Sequence, residues 1–132
     1  MEAFPLRVAP DTDLRRALES AVATRRCRAA FLISGIGSLR QARLRLAGAA
    51  EPKALDGDLE ILTLAGTVAG NGSHLHMSVA DAEGRVFGGH VAYACTVRTT
   101  AEVLLILLPE WSFTREPDSA TGFAELVVRP ER

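Results

Sequence analysis

The sequence predicts an α+β fold: a mainly antiparallel central sheet with one main N-terminal helix. Three observations lead there. Only one segment, Leu14 to Val22, repeats apolar side chains at helical spacing over more than two turns. At least six other segments read as strands, either by alternation or as short apolar runs bounded by Gly, Pro or Asp. Finally, 132 residues of which 48% are hydrophobic suit one domain, residues 1–132, with a core that needs no staples.

The elements follow in order. Phe4 to Ala9 alternates loosely and reads as an edge strand, and Pro10, Asp11 and Thr12 then punctuate. Leu14, Ala17, Leu18, Ala21 and Val22 form the apolar stripe of the helix. Asp11 or Thr12 is its expected N-cap, with Asp13 in the first turn, where the helix dipole favours an anion. Ala29 to Ser34 is a buried strand, which the glycines of SGIGSL (34–39) are expected to break into a bend. Leu39 to Leu46 alternates, with Ala42, Leu44 and Leu46 on one face and Arg43 and Arg45 on the other. AGAAEPKALDGD reads as a loop, and Leu59 to Val68 as a strand. His74 to Ala80 and Val86 to Val97 flank a turn, and Val103 to Leu108 is a buried strand too short to span a bilayer. PEWSFTREPDSATG is expected to be irregular, because Pro109 and Pro117 oppose regular structure, and Phe123 to Val128 is a closing strand.

Composition narrows the function. The net charge of −1 exerts no global pull toward nucleic acid. The halves differ, however. Residues 1–53 carry nine Arg and one Lys against five acids, a net of +5, and residues 54–132 carry five Arg against eleven acids, a net of −6. Arg25, Arg26 and Arg28, at the expected helix end, with Arg43 and Arg45 (and Arg40), are therefore the candidate nucleic-acid contacts. Cys27 and Cys95 are too few for a disulfide framework and read as reduced core thiols of a cytoplasmic protein. MEAFPLRVAPDTD has no apolar run of signal-peptide length, and a membrane partner is not expected.

All three histidines fall in GSHLHMSVADAEGRVFGGH (72–90). DAEGR is a turn signal, with Asp81 at the first position and Gly84 suited to the left-handed conformation. A three-residue loop would pair Asp81 with Arg85 and set His76 opposite His90. His74 shares the face of His76, so the three imidazoles would converge. A two-residue loop would instead oppose His76 to Gly89 and send His90 to the other face. In the first register, His74, His76 and His90 are candidate ligands for Zn²⁺, or for Fe, Ni or Cu, with a coordination position left open. Glu60, Glu102 and Asp81 are candidate carboxylates only by proximity in sequence, and none has an assigned role. No G-x-S-x-G motif supports a serine nucleophile.

These segments resemble a family, the plants-and-prokaryotes-conserved (PPC) domain. The resemblance rests on SGIGSLRQARL, LEILTLAGTV, HLHMSVADAEGRVFGGH, TTAEVLLILL and FTREPDSATGFAEL, in the family's order and over about three quarters of the chain. It implies an α+β fold with an antiparallel sheet, assembled as a homotrimer. It also implies the family's customary label as a DNA-binding protein. In plant members an AT-hook makes the minor-groove contact through Arg-Gly-Arg, and this chain contains no such tripeptide. The plant Gly-Arg-Phe-Glu-Ile-Leu motif is here GDLEIL, with Asp58 and Leu59 in place of Arg and Phe, so the plant partner contact is not carried over. His74, His76 and His90 match the bacterial form of the domain.

The reading that results is a stand-alone bacterial PPC-like homotrimer with a three-His site for zinc, another divalent transition metal, or a small ligand. Two alternatives stand beside it: a DNA-associated regulator without an AT-hook, and a metal-dependent enzyme of hydrolase type.

Overall fold

The computed structural model describes residues 1–132. Its strands are β1 (Glu2–Val8), β2 (Ala29–Arg45), β3 (Lys53–Ala69), β4 (Gly72–Ala80), β5 (Val86–Val91), β6 (Thr96–Leu107), β7 (Trp111–Pro117) and β8 (Ala124–Pro130), and its helix is α1 (Leu14–Thr24). The fold is dominated by antiparallel sheet, with one helix against it. Six strands form the main sheet in the order β1-β6-β2-β3-β4-β5, and β7 and β8 pair separately. β5 also returns to the end of β2, pairing Leu44 with Val91 and Arg45 with His90. The strands β2, β3, β4 and β5 therefore close into a ring. This closure brings Arg45 to the histidine hairpin.

α1 starts where Asp13 caps it: one carboxylate oxygen accepts from the Arg16 N–H at 3.1 Å, the other from the Ala94 N–H at 2.6 Å. The cap is thus Asp13, not Asp11 or Thr12. It outcompetes them because its carboxylate also ties the helix start to the segment before β6. The helix buries Leu14, Leu18 and Val22, one residue per turn, in the same core cluster as Leu32, Leu39, Leu75 and Leu105 of the sheet. Truncating a fully buried leucine such as Leu18 to alanine would cost about 2–5 kcal/mol. Cys27 and Cys95 are both buried and unpaired with each other, as small core residues.

Three expectations about elements are corrected. SGIGSL does not bend between strands: β2 runs through it as one 17-residue strand. Gly35 and Gly37 are there for close approach, since a Cβ at Gly35 would meet Leu64 Cδ2 at 2.9 Å and one at Gly37 would meet the Thr100 carbonyl oxygen at 2.4 Å. The loop before β3 is shorter than its composition suggests, because pairing with Leu44 begins at Lys53. The stretch after Pro109 is not irregular: Trp111 to Pro117 pairs with Ala124 to Pro130, the two prolines standing at strand ends, where no ladder N–H is lost.

Candidate metal centre

The register of the β4–β5 hairpin decides whether the histidines meet. The Asp81 N–H donates to the Arg85 carbonyl at 2.9 Å and the Gly84 N–H to the Asp81 carbonyl at 3.0 Å, with Gly84 at φ +79°. The Asp81 carboxylate accepts from the N–H groups of Glu83 and Arg85, both at 2.9 Å, and from Arg85 Nε at 2.7 Å. This is the three-residue loop, locked by its own first residue. His76 consequently opposes His90.

The ring centroids of His74, His76 and His90 lie 4.8, 5.0 and 5.9 Å apart. Their ligand-competent nitrogens all lie within 4.8 Å of one another, and His74 Nε2 is 3.1 Å from His76 Nε2. Two nitrogens at tetrahedral zinc distances stand about 3.4 Å apart, so that pair already has the spacing a shared ion requires. His90 brings its ligand-competent nitrogen within 4.8 Å of both. Its Nδ1 is buried without a hydrogen-bond partner, an orphaned polar atom in a site otherwise made of imidazoles. The donor set fits a transition ion of intermediate softness.

The local field disfavours the charged form of His74 and His90. Burial pushes His90 down to about 4, helped by the charges of His74, Arg45, Arg15 and His76. Burial also lowers His74, with Arg115 and His76 adding to the effect, while Glu125 opposes it. Both rings are therefore neutral near pH 7, with lone pairs free for coordination.

Besides a cleft along His74 and His76, the histidines line two clefts that share His74, His90 and Arg45. The smaller, about 340 Å³, lies between the three rings, Arg45 and the Gly88–Gly89 pair. The larger, about 800 Å³, adds Asn71, Arg115 and Glu125 to His74, His90 and Arg45. Arg115 reaches the site from β7: its Nη2 donates at 2.6 Å to the hydroxyl of Thr67, the residue that pairs across the sheet with His74. Asn71 fixes the Arg115 backbone from both sides, accepting from its N–H at 2.8 Å and donating to its carbonyl at 3.0 Å.

Sequence reasoning missed Arg115 and Glu125, which come from the β7–β8 hairpin. The three candidate carboxylates Asp81, Glu60 and Glu102 are elsewhere. Asp81 is consumed by its turn, and Glu60 and Glu102 line a separate cleft with Ser38 and Arg98. The arginines suggested for nucleic acid do not form one cluster: Arg26 and Arg28 share a cleft beside α1, and the others do not line it. Arg25 pairs with Glu2 at 3.0 Å and covers the Phe4 ring, Arg28 pairs with Glu131 at 3.7 Å, and Arg26 lines a cleft beside α1. Arg43 pairs with Asp56 at 3.5 Å near the other end of β2, roughly 50 Å of strand from Arg28. Arg45 belongs to the histidine site.

An antiparallel sheet carrying a three-imidazole cluster on one hairpin defines the class of this protein. The chain belongs to the Plants and Prokaryotes Conserved (PCC) domain family, whose model matches residues 1–109. It is 44% identical over 130 residues to the Bifunctional protein GlmU of Synechococcus sp. (strain JA-2-3B'a(2-13)), covering 98% of this chain but only 21% of that protein, so it spans about a fifth of that relative's length. Among solved structures it is similar to a Salmonella enterica protein at 35% identity and a TM-score of 0.95, over 99% of this chain and 95% of that one. It is also similar to a metal-containing protein of Archaeoglobus fulgidus, at 27% identity and a TM-score of 0.78, over 96% and 94% of the two chains. Two structures at 18% and 20% identity, from Bacteroides thetaiotaomicron and Ralstonia eutropha, carry names that propose DNA binding; they show the shared fold alone. No helix is long and apolar enough to cross a membrane.

Proposed function

We propose that this protein is a homotrimeric metal-binding PCC domain in which His74, His76 and His90 hold one divalent transition ion, zinc by preference. The observation that carries this reading is the convergence of three imidazoles whose nitrogens lie within 4.8 Å of each other. The description of the A. fulgidus relative as metal-containing supports it. Three imidazole ligands would leave a position open, where a zinc ion would supply a Lewis acid for a carbonyl or for water. This is the chemistry a hydrolase-type activity would draw on. Glu125 is the one carboxylate that lines the larger cleft.

Self-association is supported by an apolar row on the outer face of the sheet. Ile33 and Ile36 are 52% and 53% exposed, and Phe31 stands beside Ile106 in register. An exposed apolar row of this kind is a feature of interaction surfaces. DNA association has weaker support, because Arg25, Arg28 and Arg43 are engaged with carboxylates of the chain itself.

Metal analysis of protein purified without a polyhistidine tag tests the proposal. After incubation with zinc and gel filtration, wild type retains about one ion per chain and His76→Ala retains little. Equal retention by the two would defeat the assignment.

A further inference from the structure

The larger cleft has a charge that the histidines do not explain. Arg15, which also lines it, is accounted for: it pairs with Glu19 at 3.1 Å and donates to the carbonyls of Ser73 and Val91. Arg45 and Arg115 are different. Neither has a carboxylate within ion-pair distance, whereas eight other arginines of the chain do. Arg45 makes one long bond, 3.4 Å, to the Ala49 carbonyl. Arg115 commits only Nη2, to Thr67, while its Nε is buried without a partner. Burial lowers the Arg115 pKa, and Glu125 is the one acid that opposes this.

Holding a guanidinium half-buried with most of its donors idle is unfavourable unless something outside the chain uses them. Tying β7 to β3 needs only the Thr67 bond and the Asn71 clamp, so a purely structural role leaves the remaining donors unexplained. The backbone clamp on Arg115 and the β2–β5 pairing of Arg45 hold both residues beside His74 and His90 in advance of any ligand.

We propose that this cleft receives a small oxyanion, a molecule bearing a carboxylate or phosphate group, with Arg115 and Arg45 holding its charge beside the three-histidine centre. The inference rests on the metal reading. Three imidazoles bring no negative charge, so a divalent ion there stays uncompensated. With Arg45, Arg115 and only Glu125 opposing them, the cleft is strongly cationic. A volume of about 800 Å³ suits a small organic anion rather than a polymer. Arg115 and Arg45 are thus specificity-determining residues: they select by charge what reaches the open coordination position.

Cobalt-loaded protein provides the test, because its visible absorption reports a change at the open position without any assay of activity. Wild type, Arg115→Gln and Arg45→Gln are each titrated with inorganic phosphate and, separately, with malonate, and metal content and circular dichroism are measured on the same samples. The expected result is about one cobalt per chain in all three, saturable binding of at least one anion by wild type, and affinity weaker by about tenfold or more in each variant. Preference for phosphate or malonate identifies which oxyanion the cleft takes. Metal-loaded wild type that binds neither anion, or folded variants that bind as well as wild type, would overturn the inference while leaving the metal site standing. Wild type that takes up no metal overturns the metal reading and this inference with it. If Arg115→Gln does not fold, Arg45→Gln, which removes no bond to Thr67, carries the same comparison.

Discussion

Gly89 sits where the hairpin meets β2, and replacing it with alanine perturbs the site without touching a ligand. A Cβ at this position would stand 2.7 Å from the Arg45 carbonyl oxygen and 3.2 Å from its carbonyl carbon. Ordinary separation is about 3.5 Å, so β5 and β2 must part by roughly 0.8 Å or distort. Overpacking of this kind costs about 1–3 kcal/mol. The strain falls on the Arg45–His90 pair, so His90 and Arg45 are displaced together. The neighbouring Gly88 is the internal control: its Cβ would find nothing nearer than the Met77 carbonyl oxygen at 3.5 Å, an ordinary contact. Gly88→Ala should be neutral or gain a few tenths of a kcal/mol through the unfolded chain. Urea denaturation of metal-free protein and competitive zinc titration read both effects. The expected pattern is Gly89→Ala destabilised by about 1–3 kcal/mol with zinc affinity reduced about tenfold or more, and Gly88→Ala unchanged in both. Equal stability and equal zinc affinity in the two variants would refute the claim that β2–β5 closure positions His90.

Other outcomes follow from the same geometry. His90 is held near 4 in the folded protein by burial and its cationic neighbours, against an ordinary 6.5. Between those values the unfolded chain takes up a proton that folded His90 refuses, so metal-free protein loses stability as pH falls from about 6.5 to 4 and shows no such slope above. The half-exposed ring limits the loss to about 1–2 kcal/mol, and His90→Gln should flatten this part of the pH–stability curve. Ile33→Asp places a charge in the exposed apolar row and, if the proposed homotrimer forms through that row, gives a folded monomer by light scattering where wild type gives a trimer. Thr67→Val removes the hydroxyl that holds Arg115 and should weaken anion affinity severalfold with metal content unchanged.

What was legible in the sequence was local. The apolar stripe Leu14, Leu18, Val22 named the helix, and Asp81 and Gly84 named the turn whose geometry sets His76 against His90. Both signals act over a few residues, where spacing and backbone preference decide. Two open registers became one because Asp81 bonds its own loop three times, a preference that the residue type suggests but does not compel. Long-range features were hidden. Gly35 and Gly37 read as a bend, yet they admit Leu64 and the β6 backbone at close quarters. Arg115 and Glu125 lie 25 and 35 residues beyond His90, Arg115 in a stretch expected to be irregular and Glu125 in the expected closing strand. Nothing in their neighbours points to the histidines; only the contact of β7 with β3 brings them there. Arg45 was noticed for its charge alone, since its pairing with His90 exists only once the strands close into a ring.

The central claim is that one ion sits among His74, His76 and His90 with a position left open. X-ray absorption at the metal edge of the zinc-loaded protein measures this most directly. The account predicts three imidazole nitrogens at about 2.0–2.1 Å and at least one oxygen, with the imidazole scattering reduced in His74→Ala. A shell containing sulfur, or an imidazole count unchanged by His74→Ala, would contradict it.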